Sequence, residues 1–264
     1  MKQKFYRLCN RRRWIPVVLT VVLMVLLWLP LYLLGDPSIV GFYVIAGLTL
    51  LCSLRVGSAY GGKLTNFCVK TMHEQCDPYP LLAECDDQLS YVKNRLDRQT
   101  LTVNRSAALC ALGRDAEALD ALEALNIDDP YCIPLWRYGY YNNAASAALE
   151  CGQREKAMVY RRKADQAATA ITNPKQQALV QASTNDWLTE LCLLDGDYPG
   201  AATHLSHQAP PTDLYQHVHR AYQIARVEKA QGNLTVARFQ LEFAVQNGNR
   251  LAVVNKAKEM LEAL

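Results

Sequence analysis

The sequence predicts an all-α protein in two parts, a pair of apolar N-terminal helices and a body of stacked helix pairs. Three observations predict it: two long uncharged runs near the start, helical spacing of apolar residues with no convincing alternating strand after Val56, and four glycines recurring at joints between helical patterns. The chain has 264 residues, half of them hydrophobic and a fifth charged. That composition supports one or two packed domains and excludes a disordered chain.

Charge is shared unevenly. Of the 28 Lys and Arg and 25 Asp and Glu, residues 1–55 hold seven basic residues (Lys2, Lys4, Arg7, Arg11, Arg12, Arg13 and Arg55) and one acid, Asp36. This leaves 21 basic against 24 acidic residues beyond, so a basic apolar head precedes a slightly acidic body. The body therefore offers no charge argument for nucleic-acid binding.

Trp14 to Leu34 are 21 residues without a charge, a helix of about 31 Å that matches a bilayer core. Gly35 to Ser38 separate it from the 16 uncharged residues Ile39 to Leu54, about 24 Å of helix, which span once flanking residues join. Together they read as a transmembrane helical hairpin. A signal peptide is the rival, but the apolar run is too long and no small-residue cleavage site follows it. Six basic residues precede the first span, none lie in the turn, and Arg55, Lys63 and Lys70 follow the second. That asymmetry places both termini in the cytoplasm of a two-span cell-membrane protein. Nine scattered cysteines, an odd number without a tight framework, suit a reducing compartment.

The expected organisation is a basic cytoplasmic N-terminus at 1–13, the hairpin at 14–55, a juxtamembrane helical linker at 56–98 and a helical repeat domain at 99–264. Within the linker, residues 64–75 are expected to form one helix, broken by Cys76, Asp77 and Pro78. A second is expected over Pro80 to Asp97, with Leu81, Leu82, Cys85, Leu89, Val92 and Leu96 as its apolar stripe.

The repeat signal lies in Gly113, Gly152, Gly196 and Gly232, each followed five residues later by alanine: Ala118, Ala157, Ala201 and Ala237. Seven residues before each glycine stands another small residue, Ser106, Ala145, Thr189 or Ala225. These segments resemble the turn and second helix of the tetratricopeptide-repeat family, and Pro130 falls where that family commonly closes a unit. The spacings of 39, 44 and 36 residues depart from the family's 34 or so, and its early tryptophan is missing. The resemblance implies an α-solenoid of about four helix pairs: 101–112 with 115–126, 134–151 with 153–171, 175–194 with 198–207, and 215–231 with 234–247. Leu251 to Leu264 then form a final capping helix, with Lys256, Lys258 and Glu259 towards water.

Catalytic and cofactor motifs are near misses. Gly57 to Leu64 almost spell a phosphate-binding loop, but Leu64 stands where the magnesium-binding hydroxyl belongs and no strand precedes it. Cys68, His73, Cys76 and Cys85 lack the paired short spacing of a zinc site. His204 with His207, and His217 with His219, lack a metalloprotease carboxylate, and no nucleophile elbow occurs. The reading is therefore no enzyme, no metal and no cofactor. Trp136, Tyr138, Tyr140 and Tyr141 are divided between core and groove.

A solenoid lines its concave side with first helices, and its natural use is binding. The family register, carried over, puts Asn104, Asn142, Ser146, Asp186, Glu190, Tyr222 and Arg226 on groove-facing positions. Amides there would bond a peptide backbone, and the acids and Arg226 would select charged groups. The family's basic carboxylate clamp is not reproduced. The expected function is a membrane-anchored adaptor that recruits an unidentified protein or peptide and holds membrane lipid through its hairpin, without nucleic acid. The alternative is an accessory subunit whose hairpin packs on another membrane protein.

Overall fold

The computed structural model describes residues 63–264 except 126 and 128–131, and before them only residues 18, 21, 22, 25, 26 and 47. The chain divides into two compact units, Met1–Phe67 and Cys68–Leu264. Apart from those six positions, which are helical and exposed, the two expected spans lie outside the described residues. No helix among the described residues is long and apolar enough to cross a membrane.

From residue 63 onward the described residues form eleven helices and no strand. They are α1 (residues 63–75), α2 (Tyr79–Leu89), α3 (Arg95–Ala111), α4 (Asp115–Glu123), α5 (Pro134–Glu150), α6 (Arg154–Ala168), α7 (Pro174–Asp195), α8 (Tyr198–Ser206), α9 (Leu214–Ala230), α10 (Leu234–Asn247) and α11 (Ala252–Glu262). The helix expected over Pro80 to Asp97 is instead two. Asn94 adopts an extended backbone and its side chain accepts the Leu96 and Asp97 N–H groups at 2.9 and 3.2 Å, starting α3 anew. Leu96 consequently leaves the apolar stripe and is exposed. Residues of α2 belong to the body's own core, where Leu81 and Cys85 are almost wholly buried.

All four repeat glycines have positive φ, 71° to 82°. At each, the following N–H donates to the carbonyl five residues back, Arg114 to Leu109, Gln153 to Ala148, Asp197 to Cys192 and Asn233 to Glu228. This left-handed closure satisfies helix-end carbonyls that would otherwise be orphaned, and only glycine adopts it without a steric penalty. The turn lays the next helix back against the previous one. The alanine five residues later and the small residue seven earlier are all fully buried, so the paired backbones approach closely.

Four hairpins result: α3/α4, α5/α6, α7/α8 and α9/α10. Their first helices also touch in order, α3 to α5, α5 to α7 and α7 to α9, and α9 touches the terminal α11, making one continuous row. Asn143 ties α5 to α3 by donating to the Val103 carbonyl and Ser106 Oγ at 3.2 and 3.1 Å.

The row closes on itself. Ala252 at the start of α11 comes so near Gly113 that a Cβ added there would stand 2.9 Å from its own. Lys256 Nζ bonds Glu150 Oε2 at the end of α5 at 2.8 Å. Arg250 N–H donates to the Cys76 carbonyl at 3.2 Å, and Asn249 Nδ2 to the Gln75 carbonyl at 2.9 Å. Cys76 (φ 51°) and Asn249 (φ 46°), which meet at this seam, are the non-glycine residues of positive φ among the described residues. The C-terminal helix thus does more than cap the last pair: Lys258 and Glu259 face water, but Leu251, Val253, Val254 and Ala257 join the core shared with α2, α3 and α5.

Gly152→Ala is expected to cost about 1–2 kcal/mol, the backbone penalty of a Cβ in the left-handed region, since no atom stands within 4 Å. Gly113→Ala adds the clash with Ala252 and is expected to cost more. Denaturant titration of the two variants measures the difference.

Candidate functional site

The row of first helices brings four of the seven sequence-predicted residues together. Gln223 on α9, itself buried, donates from Nε2 to Asp186 Oδ1 and Glu190 Oε1 on α7, at 2.8 and 3.0 Å. Arg226 Nη1 bonds Glu190 Oε2 at 2.6 Å, and its guanidinium lies 5.7 Å from the Tyr222 ring centre. The spacings make this possible: 186 and 190 are one turn apart on α7, and 222, 223 and 226 share one side of α9. Gln223 was not predicted. Its signal is only a polar residue three before Arg226, and an amide in a polar stretch looks solvated until the fold buries it.

Asp186 and Glu190 repel each other, and one cation, Arg226, pairs with Glu190 alone. Asp186 is exposed at the surface yet closely surrounded by protein. Its partial loss of hydration and the Glu190 charge push its carboxyl up to about 6, opposed by the Gln223 bond.

Asn142 belongs to a separate network. The Arg161 guanidinium, on α6 and almost fully buried, bonds Asn142 Oδ1 at 3.1 Å, Thr184 Oγ1 at 2.9 Å and Asp165 Oδ1 at 3.0 Å from Nε. It also lies against the rings of Tyr138 and Trp187, at 5.9 and 5.6 Å. The oxygen of Asn142 is thus engaged in joining α5 to α6. Asn104 on α3 and Ser146 on α5 are half-buried and belong to neither network.

At the seam, His73 Nδ1 and Asp213 Oδ2 are 3.0 Å apart, and Asp213 Oδ1 also accepts the Gln216 N–H to start α9. The rings of His73, Tyr215 and His219 follow one another at centroid distances of 5.3 and 4.4 Å. His219 Nε2 is buried without a hydrogen-bond partner. Burial, then the nearby Lys256 charge, lowers that imidazole to about 4, so it is neutral at physiological pH. Asp115 is pushed up to about 6 by burial and by Glu150.

Cys68, Cys76 and Cys85 pack in the core, and burial raises the thiols of Cys76 and Cys85, to about 11 and about 12. Among the described residues no three His, Cys, Asp or Glu side chains group as metal ligands. A pocket of about 610 Å³ opens between α4, α5 and α6, lined by Tyr140, Tyr141, Tyr160 and Lys163 among others. It contains none of the seven residues placed on the groove by register, though Tyr140 and Tyr141 of the predicted aromatic cluster line it, and its Glu123 already takes Lys156 and the Tyr160 hydroxyl.

Arg161→Ala is expected to lower stability by about 2–3 kcal/mol, the range for losing charge-assisted bonds to buried groups. Arg161→Lys should restore little of it, because an ammonium cannot reproduce the planar fork; denaturation midpoints test both. Because the folded Asp186 carboxyl sits above its ordinary value, its charge burdens the fold in full above about pH 6, and the burden fades as pH falls from about 6 towards the ordinary value of 3.8. Asp186→Asn should therefore melt higher than wild type at neutral and alkaline pH, with the gap closing on acidification. A gap independent of pH in thermal melts would refute the raised carboxyl.

No protein-family model, curated protein or solved structure matches this chain.

Proposed function

We propose that the chain is a membrane-anchored adaptor whose tetratricopeptide-like body offers the inner row of first helices to a protein or peptide partner. The observation that carries this reading is the continuity of that row, with Asp186 open to solvent and Tyr222, Glu190 and Arg226 half-buried beside it. A row of rigid helices presents side chains at fixed spacing, which suits recognition of an extended or helical segment.

The anchor rests on the two uncharged runs at 14–34 and 39–54. Val18, Val21, Val22, Val25 and Leu26 add support, because they are helical, spaced to share one face, and each about half exposed or more. Such a face is stable in lipid and costly in water. Six basic residues ahead of it favour a cytoplasmic N-terminus next to anionic lipid.

Crosslinking in native membranes followed by purification of the full-length chain tests the reading. A protein partner should be recovered with the wild type and lost with Asp186→Lys, and recruitment should survive replacement of residues 14–55 by an unrelated two-span anchor. Equal recovery with Asp186→Lys, or loss on exchange of the anchor, would count against it and favour a membrane-packing subunit.

A further inference from the structure

The pocket between α4, α5 and α6 shares no residue with the α7–α9 cluster or with the Arg161 network. Its volume of about 610 Å³ falls inside the range of roughly 300–1,000 Å³ usual for small-molecule sites. Its walls are aromatic. The buried rings of Tyr140 and Tyr141 meet edge to face at 4.9 Å, and Tyr160 of α6 lies 6.4 Å from Tyr141 at an inclination of 29°. The half-buried Leu125, just after α4, adds apolar lining.

The charges of the lining do not cancel. Lys156, Tyr160 and Lys163 fall on one stripe of α6, four and three residues apart. The first two are spent on Glu123, the one acid of the lining: it pairs with the Lys156 ammonium and accepts the Tyr160 hydroxyl at 2.9 Å. Burial and that carboxylate hold the Tyr160 phenol well above its ordinary value, so it stays neutral and adds no negative charge. Lys163 is exposed, its ammonium stands 5.4 Å from the centre of the Tyr141 ring, and no carboxylate pairs with it among the described residues. Lys156 and Lys163 against Glu123 leave one positive charge in excess.

A spare ammonium held beside aromatic and apolar walls selects an anion that carries a ring. The ammonium supplies a charge-assisted bond, and the tyrosines supply ring-to-ring contact. A dianion would exceed the single spare charge and be repelled by Glu123, so a single negative charge fits best. We propose that this pocket binds a small aromatic monocarboxylate, whose carboxylate accepts from the Lys163 ammonium and whose ring packs against Tyr141, Tyr160 and Leu125. The site stands independently of the adaptor reading.

Equilibrium dialysis of naphthoate against the full-length protein in phosphatidylcholine nanodiscs, with empty nanodiscs as the blank, reads this binding directly. Naphthoate should be retained above the blank at concentrations up to about 1 mM, and the neutral naphthamide and the ringless hexanoate should each bind about tenfold more weakly or less. Lys163→Gln should weaken naphthoate binding about tenfold, the loss of one charge-assisted bond, whereas Lys163→Arg keeps the charge and should hold it within about threefold. Arg162→Gln removes an exposed charge from the adjoining position outside the pocket and should change nothing. Both positions are exposed, and melting curves check that the variants stay folded. Retention no greater than the blank, equal binding of naphthamide or hexanoate, unchanged binding in Lys163→Gln, or the same loss in Arg162→Gln as in Lys163→Gln would each overturn the proposal.

Discussion

Everything in the helical body depends on a left-handed glycine turn. A helix of this length ends with unpaired carbonyls, and the chain must reverse within two or three residues for the next helix to cover the apolar face just made. A residue at φ near 70° does both at once, because the following N–H reaches back five residues to an orphan carbonyl. With the reversal made, the fully buried Ala118, Ala157, Ala201 and Ala237 let each second helix settle close to the first. Without such turns the chain would hold helices but no pairs, and without pairs no continuous row.

The second constraint is closure. A row of stacked pairs has two ends, and in an open stack both expose apolar surface. Here the end after α10 is covered by α11, and α11 in turn meets the carboxyl ends of α3 and α5. The seam is joined through main-chain groups of Gln75 and Cys76 by Asn249 and Arg250, and by the His73–Asp213 contact. Two non-glycine residues adopt positive φ at this seam, a local cost that the surrounding packing sustains.

Closure also sets the local electrostatics. It brings Lys256 to Glu150, near Asp115, and leaves Arg226 to Glu190, while burial, together with Glu150 beside Asp115 and Glu190 beside Asp186, raises both carboxyls to about 6. Arg161 on α6 lies next to Arg162 and Lys163 in sequence, yet it is buried between three helices.

Helix content, the four turns and the buried small residues were legible in the chain because each follows from local chemistry: helical spacing, a glycine, and a small side chain at a fixed offset. The break at Asn94 was missed because a capping amide outweighed an apolar stripe that continued past it. Register placed Asp186, Glu190, Tyr222 and Arg226 on facing helix positions, and the structure brings those four side chains together, while the contacts of Gln223, Arg161 and Lys256 with Glu150 were not legible, since their partners lie 19 to 106 residues away in sequence. Sequence alone determined which segments turn and pair, for those are interactions within a few residues. Which polar groups are consumed internally and which remain open was decided only by tertiary closure, because that depends on the angle at which distant helices return to one another.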